Sequence, residues 1–375
     1  MSKYKDLDNF STWSPEEKDH FTVSVIKGLI MDTVRKANSG HTGGPMSSAD
    51  FATILFKDYL QFNPKDPNWF NRDRFILSAG HESALQYVLL HLIGWLGLDD
   101  LKQFRQLHSK TPGHPEVEIP GVECTTGPLG QGFGMGTGMA FAETFLRHAL
   151  EEKSKNAEGL VNHYTYVLAS DGDMQEPITL GASSLAGHLG LSRLIVFYDS
   201  NEIQISGGVS RCDSTNYATV FEGFGWHVQE IDGHDHEAIR SAIEKAQIMD
   251  IPSIIIGKTI MAKGSAGMER DHNTHGAPLP DDEIYATKDA LGLAQESFFL
   301  PDEVKHHFRS RFDSLYKIVS DWDTQLSECR KDSGVDSFWS IAVEDQLPVF
   351  TYPEFEESTS LATRKAFGLA LEHYA

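Results

Sequence analysis

Cysteine is scarce. The chain's 3 cysteines in 375 residues, Cys124, Cys212 and Cys329, are odd in number, far apart and without CxxC spacing. That excludes a disulfide framework and a thiolate zinc site, and it fits a reducing, cytoplasmic setting. Long apolar runs are missing too. The longest, Val88 to Leu98, is too short to span a bilayer and contains His91, and no apolar signal core follows Met1. No membrane role is expected. Positive charge is in short supply: 32 Lys plus Arg stand against 54 Asp plus Glu, a formal net charge of −22. Binding to nucleic acid or to an anionic lipid surface is thereby disfavoured. What is present is ordinary globular composition, 40% hydrophobic and 23% charged, on a chain long enough for two to three domains.

Apolar residues at helical spacing predict a helix over Phe21–Ala37, stopped by Asn38-Ser39-Gly40, and a second from about Ser47 to Leu60. Arg74–Leu77 reads as a short buried strand leading through Ser78-Ala79-Gly80 to His81 and a long helix. The glycine-rich run Thr125–Gly132 opens another helix, whose free N–H groups are expected to face an anion. Tyr164–Ala169, Pro177–Leu189 and Leu194–Tyr198 form the clearest strand–helix–strand unit, with further strands at Trp226–Ile231 and Ser253–Thr259 around a helix at Glu237–Ile248. Continuous apolar strands alternating with helices predict an α/β fold, a doubly wound parallel sheet with helices on both faces. From Pro301 to Glu344 the pattern turns helical, charged and irregular. Pro348–Pro353 reads as an extended linker, and a new helix begins near Glu357.

In a parallel sheet, ligands gather at the carboxyl ends of the strands. Those ends are Ser170-Asp171-Gly172 and Asp199-Ser200-Asn201. Asp171 and Asn201 offer hard oxygen donors which, with a main-chain carbonyl such as that of Ile203, phosphate oxygens and water, suit Mg²⁺ or Ca²⁺. Turn capping alone would also place an Asp and an Asn there. Of the 17 histidines, His41, His81, His114 and His275 sit in Gly- or Pro-flanked loops, whereas His91, His148, His188, His306 and His307 fall in helices and read as packing or surface residues. Four such loops beside a Gly-rich helix start and an Asp/Asn pair suggest one polar pocket for a diphosphate and a polyhydroxylated substrate.

Ser39–Met46, Ser78–His81, Phe104–Glu116, Thr125–Gly132, Asp171-Gly172 with Asn201, and Thr274–Leu279 together resemble the transketolase family. The resemblance runs in order from about residue 20 to the end. It implies the diphosphate-binding domain of the thiamine diphosphate fold over residues 1–320, a linker over 321–355, and over 356–375 the first helix of a pyrimidine-binding domain. It implies transfer of a two-carbon ketol group from a ketose phosphate to an aldose phosphate, in the cytoplasm and the pentose phosphate pathway. By this likeness Asp171, Asn201 and the Ile203 carbonyl hold Mg²⁺ (or Ca²⁺). His81, Gly127, Leu129, Gly172 and His275 contact thiamine diphosphate. His41, His114 and His275 face the sugar and move protons, and Arg364 meets a sugar phosphate. The partners implied are sugar phosphates and either a second copy of the chain or a separate pyrimidine-binding subunit.

The sequence also departs from the family pattern. Ser170 stands where the family has glycine, Gly181 replaces an acidic residue expected after Glu176, and Thr42 replaces the usual proline beside His41. The family's activating glutamate comes from a pyrimidine-binding domain that is not within these residues, so a truncated form, a proteolytic fragment or one half of a split enzyme is expected, inactive alone. Dihydroxyacetone synthase and deoxyxylulose phosphate synthase would share the Asp171 and Asn201 framework. A non-catalytic regulatory subunit is a further alternative. A generic nucleotide-binding domain is disfavoured, because no GxGxxG or GxxxxGK[ST] follows a predicted strand.

Overall fold

The computed structural model describes residues 3–344, 346 and 353–374. The described residues form seven strands: β1 (Arg74–Leu77), β2 (Thr165–Ser170), β3 (Leu194–Ser200), β4 (Ile203–Gln204), β5 (Gly207–Gly208), β6 (His227–Asp232) and β7 (Ser253–Lys258). Five of them make one all-parallel sheet in the order β1-β2-β3-β7-β6, and β4 with β5 makes a two-residue antiparallel hairpin beyond the end of β3. The central strands carry unbroken apolar runs because both of their faces are covered. Tyr166, Leu168, Ile195, Phe197 and Ile255 pack towards the helices Pro15–Ala37 and Ser83–Ile93. Val167, Val196, Ile254 and Ile256 pack with Phe133, Ala182 and Ala186 on the opposite side. Phe197 stacks on Phe51 at 3.9 Å between ring centres, which fixes one helical layer against the middle of the sheet.

The expected α/β architecture is thus the observed one, with local differences. The first helix starts at Pro15 rather than Phe21, because Ser14 and Glu17 close a reciprocal capping box ahead of Pro15. The helix expected over Ser47–Leu60 is broken into Gly43–Ser47, Ala49–Ile54 and a π-turn at Leu55–Tyr59. Much of the expected linker 321–355 is folded: helices Phe312–Cys329 and Ser333–Ala342 bury Leu315, Trp322, Cys329, Val335 and Trp339. Trp322 packs edge-on against Trp69 at 5.6 Å, so this heptad-like stripe is a docking face and not a charged surface helix. Most of the segment read as an extended linker, Pro348–Pro353, lies outside the described residues, as does Ala375.

Phe197→Ala should remove a fully buried ring from the centre of both the sheet and the Phe51 stack. We expect a loss of about 3–5 kcal/mol in unfolding free energy, read as a lower urea midpoint. A change under 1 kcal/mol would mean that the stack does not hold this layer.

Candidate active site

In-register pairing sets the site. Ser170 pairs with Asp199 across β2 and β3, so Asp171 and Asn201, just past the strand ends, emerge together at the carboxyl edge of the sheet. A cleft of about 620 Å³ opens there. It is lined by His41, His81, His114, Gly127, Leu129, Asp171, Gly172, Asn201, Ile203 and His275, together with Ser170, the β4–β5 hairpin, Arg211 and Cys212. Every candidate site residue is therefore in one place except Arg364. That residue is exposed on the helix Thr363–Tyr374 and does not line the cleft. A Cβ on Gly172 would come within 2.6 Å of Leu129 Cδ1, so a larger residue there would require the Leu129 side chain to shift.

The four loop histidines meet as a cluster. Ring centres lie 5.2 Å apart for His41 and His81, 5.0 Å for His81 and His275, 5.6 Å for His41 and His275, and 6.3 Å for His41 and His114. Burial, reinforced by the neighbouring imidazoles and Arg105, holds His41 down at about 3 from an ordinary value of 6.5. Burial, with His275, His41 and His114, pushes His81 well below that value, and burial also lowers His114 and His275. The cluster is consequently neutral at pH 7, able to donate and accept hydrogen bonds without carrying charge. Arg105 directs Nη2 at His41 Nδ1, 3.5 Å away, and donates from Nη1 to Ser39 Oγ at 3.1 Å. His275 Nδ1 is buried without a partner among the described residues.

Asp171 is a buried carboxylate whose oxygens accept from the Tyr198 hydroxyl at 2.6 Å and the Glu202 N–H at 2.8 Å. Glu202 adopts a left-handed backbone, φ 64°, at the turn that supplies that N–H. Burial raises Asp171 to about 7 despite those bonds, and the charge of Asp199 adds to the effect. Asp199 anchors the amide of Asn201, accepting from Nδ2 at 2.7 Å, and is itself held by Ser47 Oγ at 2.6 Å and by the Thr259 hydroxyl. The anchoring leaves Asn201 Oδ1, among the described residues, with only the Ile203 N–H, at 3.0 Å.

One expectation is corrected. Two of the N–H groups at the start of the helix Gln131–Lys153 are already taken inside the protein and do not face an anion: Gly130 donates to Asp173 Oδ1 at 2.7 Å and Phe133 donates to Ser78 Oγ at 2.9 Å. Gly132 serves close packing, since a Cβ there would strike Ser78 Cα at 2.5 Å.

Residues 18–339 match the family model described as "Transketolase, thiamine diphosphate binding domain". The chain belongs to the transketolase family. Transketolase of Halalkalibacterium halodurans is 41% identical over 95% of this chain and 54% of its own length, and transketolase 2 of Aliivibrio fischeri is 50% identical over 81% and 46%. The transketolase crystal structure from Campylobacter jejuni superposes with a TM-score of 0.86 at 40% identity, covering 95% of this chain and 55% of that one. The Pichia stipitis transketolase in complex with sedoheptulose 7-phosphate gives a TM-score of 0.90 at 37% identity, covering 94% and 53%. The chain spans about half the length of the curated transketolases it matches.

Of the three departures from the transketolase pattern, Ser170 and Thr42 have local partners and nothing in the structure explains Gly181. Ser170 donates its N–H and hydroxyl to Asp173 Oδ2 at 2.8 and 2.9 Å. Thr42 is fully buried and donates to the Ala277 carbonyl at 3.0 Å, a bond proline could not make. Gly181 borders an apolar groove, and a Cβ there would meet nothing within 4 Å. Sequence reasoning passed over Asp199, Asp173, Ser78 and Arg105. Only Asp199 carried a signal, its place at a strand end beside Asn201.

A histidine held neutral by the fold favours folding at high pH, because the unfolded chain takes up a proton that the native state refuses. His41 therefore contributes stability above its unfolded value of 6.5 that is lost as the pH falls towards about 3. Between pH 6.5 and 5 the loss should reach about 1–2 kcal/mol. Urea midpoints at pH 7.5 and 5.0 should fall less for His41→Gln than for the unmodified chain. Equal falls would show that His41 titrates as it does in water.

Proposed function

We propose that this chain supplies the thiamine diphosphate and metal half of a transketolase that moves a two-carbon ketol unit from a ketose phosphate to an aldose phosphate. The convergence of His41, His81, His114 and His275 on Asp171 and Asn201 in one cleft carries this reading. Mg²⁺ or Ca²⁺ would be held by the Asp171 carboxylate, Asn201 Oδ1 and the Ile203 carbonyl, a hard oxygen set. The fit rests on Asp171: a buried carboxylate whose oxygens, among the described residues, accept only from a hydroxyl and an amide calls for a cation. Gly127, Leu129, Gly172, His81 and His275 would line the cofactor. Bound thiamine diphosphate supplies the carbon nucleophile that carries the two-carbon unit between sugars.

The chain's own residues then bind, orient and move protons. With Arg105 directed at Nδ1, the His41 proton sits on Nε2, set to donate to a sugar oxygen. Neutral His114 and His275 can accept a hydroxyl proton and return it, and the negative charge of a bound diphosphate would raise their affinity for it. Because the Gly130 and Phe133 N–H groups are already used internally, metal and imidazoles would carry the diphosphate. Arg364 would meet a sugar phosphate only with a change in the placement of its helix.

Residues 1–320 would be the diphosphate-binding domain, and 356–375 the first helix of a pyrimidine-binding one. Phe141, Phe145, Ile178, Leu185 and Leu189 form an exposed apolar face on the helices Gln131–Lys153 and Pro177–Leu189. A second copy or a pyrimidine-binding subunit would cover it. Cytoplasmic work in the pentose phosphate pathway completes the reading.

With a transketolase pyrimidine-binding half supplied, calorimetry with Mg²⁺ and thiamine diphosphate should show Asp171→Ala weakening cofactor binding at least tenfold, about 1.4 kcal/mol. Unchanged affinity would dismiss the metal site. In the same mixture, His114→Ala should lower the rate of ketol transfer from xylulose 5-phosphate to ribose 5-phosphate by about 10² to 10⁴ while sparing cofactor affinity. Matched losses of rate and affinity would move His114 to the cofactor.

A further inference from the structure

A second cluster of ligating side chains lies outside the cleft. His20 comes from the helix Pro15–Ala37, Asp50 from Ala49–Ile54 and His236 from the first position of His236–Gln247. One ligating atom of each lies within 4.8 Å of the other two. The rings of His20 and His236 stack with centres 4.2 Å apart and planes 26° apart. Asp50 Oδ2 is already taken by Lys27 Nζ at 2.9 Å and His234 Nδ1 at 3.0 Å. Oδ1 faces His236 Nε2, 3.0 Å away.

A plain structural account would make Asp50 the buried counter-charge of Lys27. That account explains Oδ2 and stops there. It does not explain why a second buried imidazole is set on Oδ1 with a third stacked upon it. The fixed pair His236 Nε2 and Asp50 Oδ1 is already spaced near the edge of a tetrahedral zinc shell, about 3.3 Å for bonds of about 2.0 Å. His20 is half-exposed, its side chain at 49%, so it can swing to complete the set.

We propose that His20, Asp50 and His236 form a binding site for a divalent transition metal of the zinc type, with water completing the shell. Its nitrogen-rich donors separate it from the all-oxygen set of Asp171, Asn201 and Ile203, so Mg²⁺ at the cleft and zinc at this site do not compete. The nearby Lys27 ammonium opposes the ion's charge and keeps the affinity moderate. Bound there, the ion would tie the first helix to the segment after β6. That segment reaches the sheet end through His234, whose Nε2 accepts from the Ile260 N–H at 2.9 Å.

The cleft imidazoles can also take zinc, so the test must report position. Crystals of the full chain soaked in Zn²⁺ with excess Mg²⁺ should show an anomalous-difference peak between His20, Asp50 and His236, absent in His20→Ala. In solution, competition titration with a zinc-chelating dye should show His20→Ala weakening one site at least tenfold, with His275→Ala leaving that site unchanged. Circular dichroism checks that His20→Ala, a change at a half-exposed position, retains the fold. Zinc density confined to the cleft, or equal zinc affinity in the unmodified chain and His20→Ala, would overturn the proposal. Neither outcome bears on the thiamine diphosphate reading, which rests on other residues.

Discussion

The parallel pairing of β2 with β3 is the constraint on which the rest depends. Because Ser170 lies opposite Asp199, two residues 30 positions apart in the chain, Asp171 and Asn201, leave the sheet at one level and on one edge. The continuous apolar faces of these strands fix that register from both sides, since each side chain has a layer of helix to fill. The histidine loops are carried to the same edge by separate segments, and none of them needs to recognise another. A site assembled this way inherits its geometry from the core.

Beneath the cleft lies a layer of carboxylates bonded almost entirely to uncharged donors. Asp199 is held by Ser47, Thr259 and Asn201, and Asp173 by Ser78, Ser170 and Gly130. Glu82 is also buried, and burial and the charge of Asp199 raise it well above the usual carboxylate range. Such groups orient the residues above them without the bulk of a lysine or arginine. The same layer explains why the Gly130 N–H does not face an outside anion: Asp173 already accepts from it.

Much of this was legible in the sequence because the signals were local or periodic. Unbroken apolar runs placed β1, β2, β3 and β7 within two residues, and Gly- or Pro-flanked loops singled out the four histidines that share the cleft. What could not be read depends on distant partners. Nothing near Asp173 announces that Ser78 and Gly130 will bond to it. The stripe Leu315, Trp322 and Cys329 was hidden among charges; Trp322 and Cys329 pack with Trp69, Leu150, Ala157, Leu160 and Val161, and Leu315 joins the main core. Arg105, in a left-handed conformation between Phe104 and Gln106, reaches His41 only through the fold.

The bonds between Ser170 and Asp173 constrain how this sequence can change. Asp173 Oδ2 takes both of its donors from Ser170, one from the backbone and one from the hydroxyl. Exchanging Ser170 for the family's glycine would keep the first and remove the second, leaving a fully buried carboxylate short of a donor. Replacing Asp173 with an apolar residue first would strand the hydroxyls of Ser78 and Ser170 and the N–H of Gly130. Each route passes through an intermediate less satisfied than either end, so the two positions are epistatic, and descendants of this chain would tend to exchange them together or keep both.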